Sequence, residues 1–135
     1  MINKLTSLLA ATAAALLVAG PAAASTATSQ SKTVGSCHAR GDYAICDATA
    51  TVNHPLRIYV HVAASPRQKV AGSWDVTCTK GDGAGSESGS FSGKTTLTRK
   101  VRMSYRHPDS CVVSAGAQLS NGGHSIHVWL TAVRS

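Results

Sequence analysis

The chain has 135 residues, 43% of them hydrophobic and 14% charged, and a formal net charge of +7. That length makes one domain with a single core and excludes a multidomain assembly. The excess of Lys and Arg suits acidic partners or cell-envelope polymers, but no aromatic platform interleaves with it, which excludes a single-strand nucleic-acid binder.

Residues 1–24 read as a secretory signal peptide. Lys4 supplies the basic head, Leu8 to Gly20 the apolar run, and Ala22-Ala23-Ala24 before Ser25 the small-residue cut site. The run is too short to span a bilayer and no stop-transfer pattern follows, so no membrane span is expected and the mature protein is placed outside the cell. Removing it leaves roughly 110 residues and a charge of about +6. Residues 25–35 come next. Ser25, Thr26, Thr28, Ser29, Gln30, Lys32, Thr33 and Val34 offer almost nothing to bury, so this stretch reads as a mobile arm ahead of a domain over 36–135.

Four cysteines, Cys37, Cys46, Cys78 and Cys111, follow in the exported part. An even count there argues for two disulfides, each adding about 2–4 kcal/mol. Three pairings are open. Cys37–Cys46 with Cys78–Cys111 is preferred, because the first pair brackets a short turn and the second sits in two apolar strands. Zinc is the competing use, but the chain has no C-x2-C knuckle. Arg40-Gly41-Asp42 lies between the first two cysteines and reads as hairpin chemistry rather than an integrin ligand.

Period-two alternation then takes over. Ala44, Cys46, Ala48, Ala50 and Val52 share one face of a first strand, which ends at Asn53-His54-Pro55. Leu56, Ile58, Val60 and Val62 share a face of the second, with Tyr59 and His61 opposite. A third covers Lys69 to Thr79 with Trp74, Val76 and Cys78 inward. Trp74 is spaced to pack on an inter-sheet disulfide. Gly81 to Gly93 reads as a Gly/Ser loop, too polar for a central strand. A fourth strand from Thr95 to Tyr105 turns Leu97, Val101, Met103 and Tyr105 to one side, with a bulge or strand end expected at Arg99. Cys111 to Leu119 make a fifth, Asn121-Gly122 reads as a hairpin turn, and the last strand points Ile126, Val128, Leu130 and Ala132 inward and His127 and Trp129 outward. Short alternating strands at turn-marked spacing, with no helical period, predict an all-β, immunoglobulin-like two-sheet β-sandwich, the likeness being one of architecture.

Catalytic patterns are weak. Gly89-Ser90-Phe91-Ser92-Gly93 has Phe at the centre where a nucleophile elbow needs Ser. Gly81-Asp82-Gly83-Ala84-Gly85 lacks the lysine and helix of a phosphate loop. The carboxylates are few and scattered, and among the histidines His124 and His127 point to opposite faces of a strand. The expectation is therefore a non-enzyme without metal or cofactor. Two surface features are candidates instead. Lys94, Lys100, Arg102 and Arg106 share the outward parity of the fourth strand, either as a binding stripe or as edge protection. Tyr59 and Trp129 are outward anchors, and form a contact surface if they cluster with His61 and His127.

The segments Cys37-His-Ala-Arg-Gly-Asp-Tyr-Ala-Ile-Cys46, Ser73-Trp-Asp-Val-Thr-Cys78, His107-Pro-Asp-Ser-Cys-Val-Val-Ser114 and His127-Val-Trp-Leu-Thr-Ala132, behind an Ala-rich export signal, resemble small secreted proteins of actinobacteria, in particular the small B component of the umbrella toxin particles of Streptomyces. The resemblance implies a non-enzymatic adaptor in a secreted antibacterial complex, joining a lectin-like subunit to a large repeat-containing toxin subunit. It also implies that the segment Ser25 to Gly35 enters a cleft of the lectin-like partner. Three other classes stay open: a protease inhibitor presenting His38–Ile45, a cationic envelope-binding protein, and an apo-chromoprotein that carries a small ligand.

Overall fold

A computed structural model describes residues 30–66, 68–93, 96–119 and 125–135. It contains eight strands: β1 (Lys32–Arg40), β2 (Ile45–Asn53), β3 (Pro55–Ser65), β4 (Val70–Lys80), β5 (Gly83–Gly93), β6 (Thr96–Lys100), β7 (Ser110–Leu119) and β8 (Ser125–Arg134). They form two four-stranded antiparallel sheets. Sheet I has the order β1-β8-β3-β6 and sheet II the order β2-β7-β4-β5. The chain is thus an all-β, two-sheet sandwich. Its strand order is that of an eight-stranded jelly roll, so the likeness to immunoglobulin domains lies in the packing of two sheets and not in connectivity.

Alternation builds the core. Val52, Val76 and Val113 from sheet II meet Ile58, Val60, Val62, Val128 and Leu130 from sheet I, all fully buried. Among the described residues no polar or charged residue is buried, so the interior is held by apolar contact and the outward positions are free to vary. Both disulfides form as preferred, Cys37–Cys46 and Cys78–Cys111. Their roles are the reverse of the expectation for Trp74. Cys78 and Cys111 are register partners on β4 and β7 of the same sheet, whereas Cys37–Cys46 ties β1 of sheet I to β2 of sheet II. Trp74 packs instead over Gly89, where an added Cβ would come within 2.7 Å of the indole.

Several boundaries differ from the sequence reading. The sheet begins at Lys32, inside the expected arm, because Lys32 and Thr33 pair with Ala132 and Thr131 of β8 and Gly35 packs on the β2 backbone, 2.9 Å separating its ideal Cβ from the Thr49 carbonyl oxygen. The Gly81–Gly93 stretch is not a loop but β5, an edge strand, where polar residues face solvent freely. The fourth strand stops at Lys100: one further ladder bond, from the Val101 N–H to the Ile58 carbonyl (2.9 Å), closes the pairing with β3, and the chain then turns to lay Met103 and Tyr105 against the core. The two strands that a hairpin at Asn121-Gly122 was expected to pair, β7 and β8, belong to opposite sheets. Asn121 and Gly122 themselves lie outside the described residues.

Candidate functional site

The outward face of sheet I carries a row of rings. β8 lies between β1 and β3, with His38 opposite His127 and His61 opposite Trp129. Side chains stand roughly perpendicular to a sheet, so these neighbours meet ring to ring. His38 and His127 stack at 3.7 Å between centroids with 15° between planes, His127 and Trp129 at 4.4 Å and 23°, and Trp129 and His61 at 5.0 Å and 11°. Tyr59 ends the row, tilted 42° from His61 at 6.4 Å. The cluster expected from Tyr59, His61, His127 and Trp129 is therefore formed, and His38 joins it.

His61 is fixed from both sides. Its Nδ1 is 3.0 Å from the Thr98 hydroxyl on β6 and its Nε2 is 2.8 Å from the Thr131 hydroxyl on β8. In a neutral ring one nitrogen donates and the other accepts, and a threonine hydroxyl serves either role. Burial lowers the His61 pKa below its ordinary value. Burial, and then the neighbouring His38, lower that of His127. Both shifts favour the uncharged ring. A histidine that activates a hydroxyl nucleophile is steadied by a carboxylate, which stabilises its imidazolium. Here two hydroxyls hold the ring and its basicity falls, so the arrangement orients His61 without activating it.

The stack also decides what the face can offer. His127 and Trp129 are each stacked against two neighbours, so much of their ring faces is covered and they present chiefly ring edges, with their N–H and nitrogen groups, to solvent. Beside the stack, Ala63, Ser65 and Ser125 leave low ground next to His38, Arg40 and His127. Among the described residues no group of three or more His, Cys, Asp or Glu side chains is placed to hold a metal ion.

The other candidates scatter. Lys100 closes β6, but Arg102 and Arg106 lie in the irregular segment after it, so the expected stripe along one strand face is not built. Arg102 instead reaches Glu87 of β5 (3.5 Å). Gln30 precedes β1, while Lys32, Thr33 and Val34 lie in it, beside Ala132 and Arg134 of β8. Ser25, Thr26, Thr28, Ser29, Lys94 and His124 lie outside the described residues. The Arg40-Gly41-Asp42 turn stands exposed, with Gly41 at φ +114° and Tyr43 at φ +56°.

No family model and no curated protein matches the chain. Among solved structures it is similar to a family 11 carbohydrate-binding module from Clostridium thermocellum, in complex with a beta-1,3-1,4-mixed-linked tetrasaccharide. The match has 11% identity, covers 80% of this chain and 84% of that one, and has a TM-score of 0.32. A likeness at that level carries no argument about the ring stack.

Proposed function

We propose that the chain is an exported, non-enzymatic binding module whose working surface is the ring row His38–His127–Trp129–His61–Tyr59. The observation that carries this reading is the double hydroxyl clamp on His61 at one end of a near-parallel stack. A row of aromatic groups held rigid before contact loses little entropy on binding, and aromatic anchors dominate protein interfaces. Because the stacked rings cover much of one another's faces, the row offers chiefly hydrogen-bonding edges rather than a floor for a sugar ring, which favours a protein partner. Both disulfides belong to an oxidising compartment, in keeping with export.

The resemblance to the small B component gives the finer reading: an adaptor that links a lectin-like subunit to a large repeat-containing toxin subunit of an antibacterial complex. In that reading residues 25–31 and the start of β1 enter the lectin-like partner by backbone pairing. Purifying the tagged chain from its own culture supernatant, without reducing agent, tests both levels. Trp129→Ala is expected to lose co-eluting proteins bound by the ring face. Deleting residues 25–31, which spares β1, is expected to lose the lectin-like one alone. Unchanged co-elution with both variants would defeat the reading.

A protease-inhibitor reading has one observation in its favour. Tyr43 and Ile45 are 62% and 61% exposed at the turn that carries the chain from β1 of one sheet to β2 of the other, braced by Cys37–Cys46. Tight inhibition of trypsin- or subtilisin-like enzymes, with cleavage near Arg40, would establish it in place of the adaptor.

A further inference from the structure

Three of the four sheet edges are protected. β1 carries an irregularity between Thr33 and Gly35, β6 is five residues long and ends in Arg99 and Lys100, and β2 has β1 packed against it at Gly35. β5 is different. Its eleven residues pair with β4 without a register break, it contains no Pro, Lys or Arg, and its one charge, Glu87, has inward parity and is paired with Arg102. Of the devices that blunt edge strands it has only this one.

Hydrogen-bond parity identifies which groups of β5 are free. Gly81, with φ +58°, opens a two-residue turn between Lys80 and Gly83, a geometry in which the flanking pair is hydrogen-bonded. Cys78 and Cys111 agree with this: their Cα atoms are 4.0 Å apart, the close spacing of a non-hydrogen-bonded pair, so the Cys78 backbone groups turn toward β5. By alternation the odd-numbered residues of β5 bond to β4. The N–H and C=O groups of Ala84, Ser86, Ser88, Ser90 and Ser92 point outward along the edge. Among the described residues no backbone group pairs with them.

The segment that packs on the inward side of β5 is basic. Arg102 contacts Glu87, and Ser104 and Tyr105 lie over Gly85 and Gly83. Arg106 follows directly, and Arg99 precedes. Against them stand Glu87 and, at the turn, Asp82, while Asp109 is taken up by the Gly81 N–H (2.8 Å). We propose that the free edge of β5 is a docking site for an extended acidic peptide strand, added to sheet II through the backbone groups of Ala84 to Ser92, with Arg102 and Arg106 selecting its carboxylates. Strand addition takes its affinity from main-chain hydrogen bonds and its specificity from alternate side chains. The small outward side chains of β5 let another backbone approach. A second copy fits poorly, because it would bring its own Arg102 and Arg106 against the first.

A twelve-residue peptide of alternating Glu and Thr, and its Lys and Thr counterpart, test the site on the oxidised chain. The acidic peptide is expected to bind at least tenfold more tightly. It should slow amide exchange at Ala84, Ser86, Ser88, Ser90 and Ser92 while leaving their odd-numbered neighbours unchanged. Ser88→Pro removes one outward N–H and no bond to β4, and is expected to weaken binding at least tenfold, whereas Ser88→Ala stays within twofold. Should Ser88→Pro fail to fold, the exchange pattern of the unaltered chain decides alone. Equal affinity for the two peptides, protection outside β5, or self-association of the peptide-free chain through those same amides would each overturn the proposal.

Discussion

The two outward faces of the sandwich are made by the same alternation and share one core, yet their chemistry has separated. The outward positions of sheet I hold Tyr59, Trp129, three histidines, Arg40, Arg57 and Lys100, and no carboxylate. Those of sheet II hold Asp47 and Asp75 among small hydroxyl residues such as Thr49, Thr77, Ser86 and Ser114, with no aromatic ring, Lys or Arg. The Asp47 carboxylate even leans over Gly116, occupying the space a Cβ would take there. Neither set is needed to fill the interior. Folding therefore explains the inward residues and leaves the difference outside to be explained by contact with something else. The ring face is rigid and has its own internal clamp. The hydroxyl face is lined mostly by small side chains, and its useful groups are the backbone atoms at its open edge.

The largest effects come from the covalent ties, which serve the faces unequally. Cys78–Cys111 closes a 33-residue separation inside sheet II, and replacing both cysteines with Ala should lower stability by about 4 kcal/mol. Cys37–Cys46 spans 9 residues and joins the sheets next to His38, so its loss should lower stability by about 3 kcal/mol and loosen the ring row as well. Urea unfolding gives both numbers. The first variant, where it remains folded, should keep its capture of partners. The second should lose part of it, and the opposite ranking in capture would break the contrast between the faces.

Next comes Trp129→Ala, which removes the centre of the row. A buried aromatic anchor in an interface is worth about 2 kcal/mol or more, so capture should fall about thirtyfold, while Asp75→Asn on the other face stays within twofold. Acid gives a smaller effect of defined sign. His61 and His127 both have folded-state pKa values below the ordinary 6.5. Between that value and the folded one, the unfolded chain binds more protons, so stability falls as pH drops below 6.5 and is fully retained above it. Tyr59, Trp129, His38, Thr98, Thr131 and Lys100 face these rings, and none of them can neutralise an imidazolium. Unfolding midpoints between pH 7.5 and 5 should decline, with a shallower slope for His127→Phe.

Much of the sandwich was legible because its inward residues are large enough to show a period. Val52, Val76, Val113 and Leu130 are each buried where alternation put them. β5 was not, because Gly, Ala and Ser on both faces leave no hydrophobic signal. Its trace in the sequence is the spacing of Gly83, Gly85 and Gly89, all inward, which make room for Tyr105, Ser104 and Trp74. β1 was hidden by its half-buried inward residues Val34, Cys37 and Ala39. Parity alone put Tyr59, His61, His127 and Trp129 on outward faces. Whether they touch depended on β3 and β8 being neighbours, which is a fact of topology that one sequence does not carry, and His38 was invisible for as long as β1 was.

One substitution, made once on each face, gives the finest test of the contrast. Thr131→Val on the ring face removes the hydroxyl 2.8 Å from His61 Nε2 and leaves a part-buried ring nitrogen with no bond there. Thr49→Val on the hydroxyl face removes a 3.0 Å bond to the exposed Ser114 hydroxyl, and water can replace it. Valine keeps the branched shape that suits a strand in both places, so shape and propensity cancel in the comparison. Thr131→Val should cost about 1 kcal/mol, the price of an unmade hydrogen bond at a group shielded from water. Thr49→Val should stay within about 0.5 kcal/mol, as exposed positions do. Equal losses in urea unfolding would mean that the clamp on His61 is no more than ordinary surface bonding, and the rigidity claimed for the ring row would go with it.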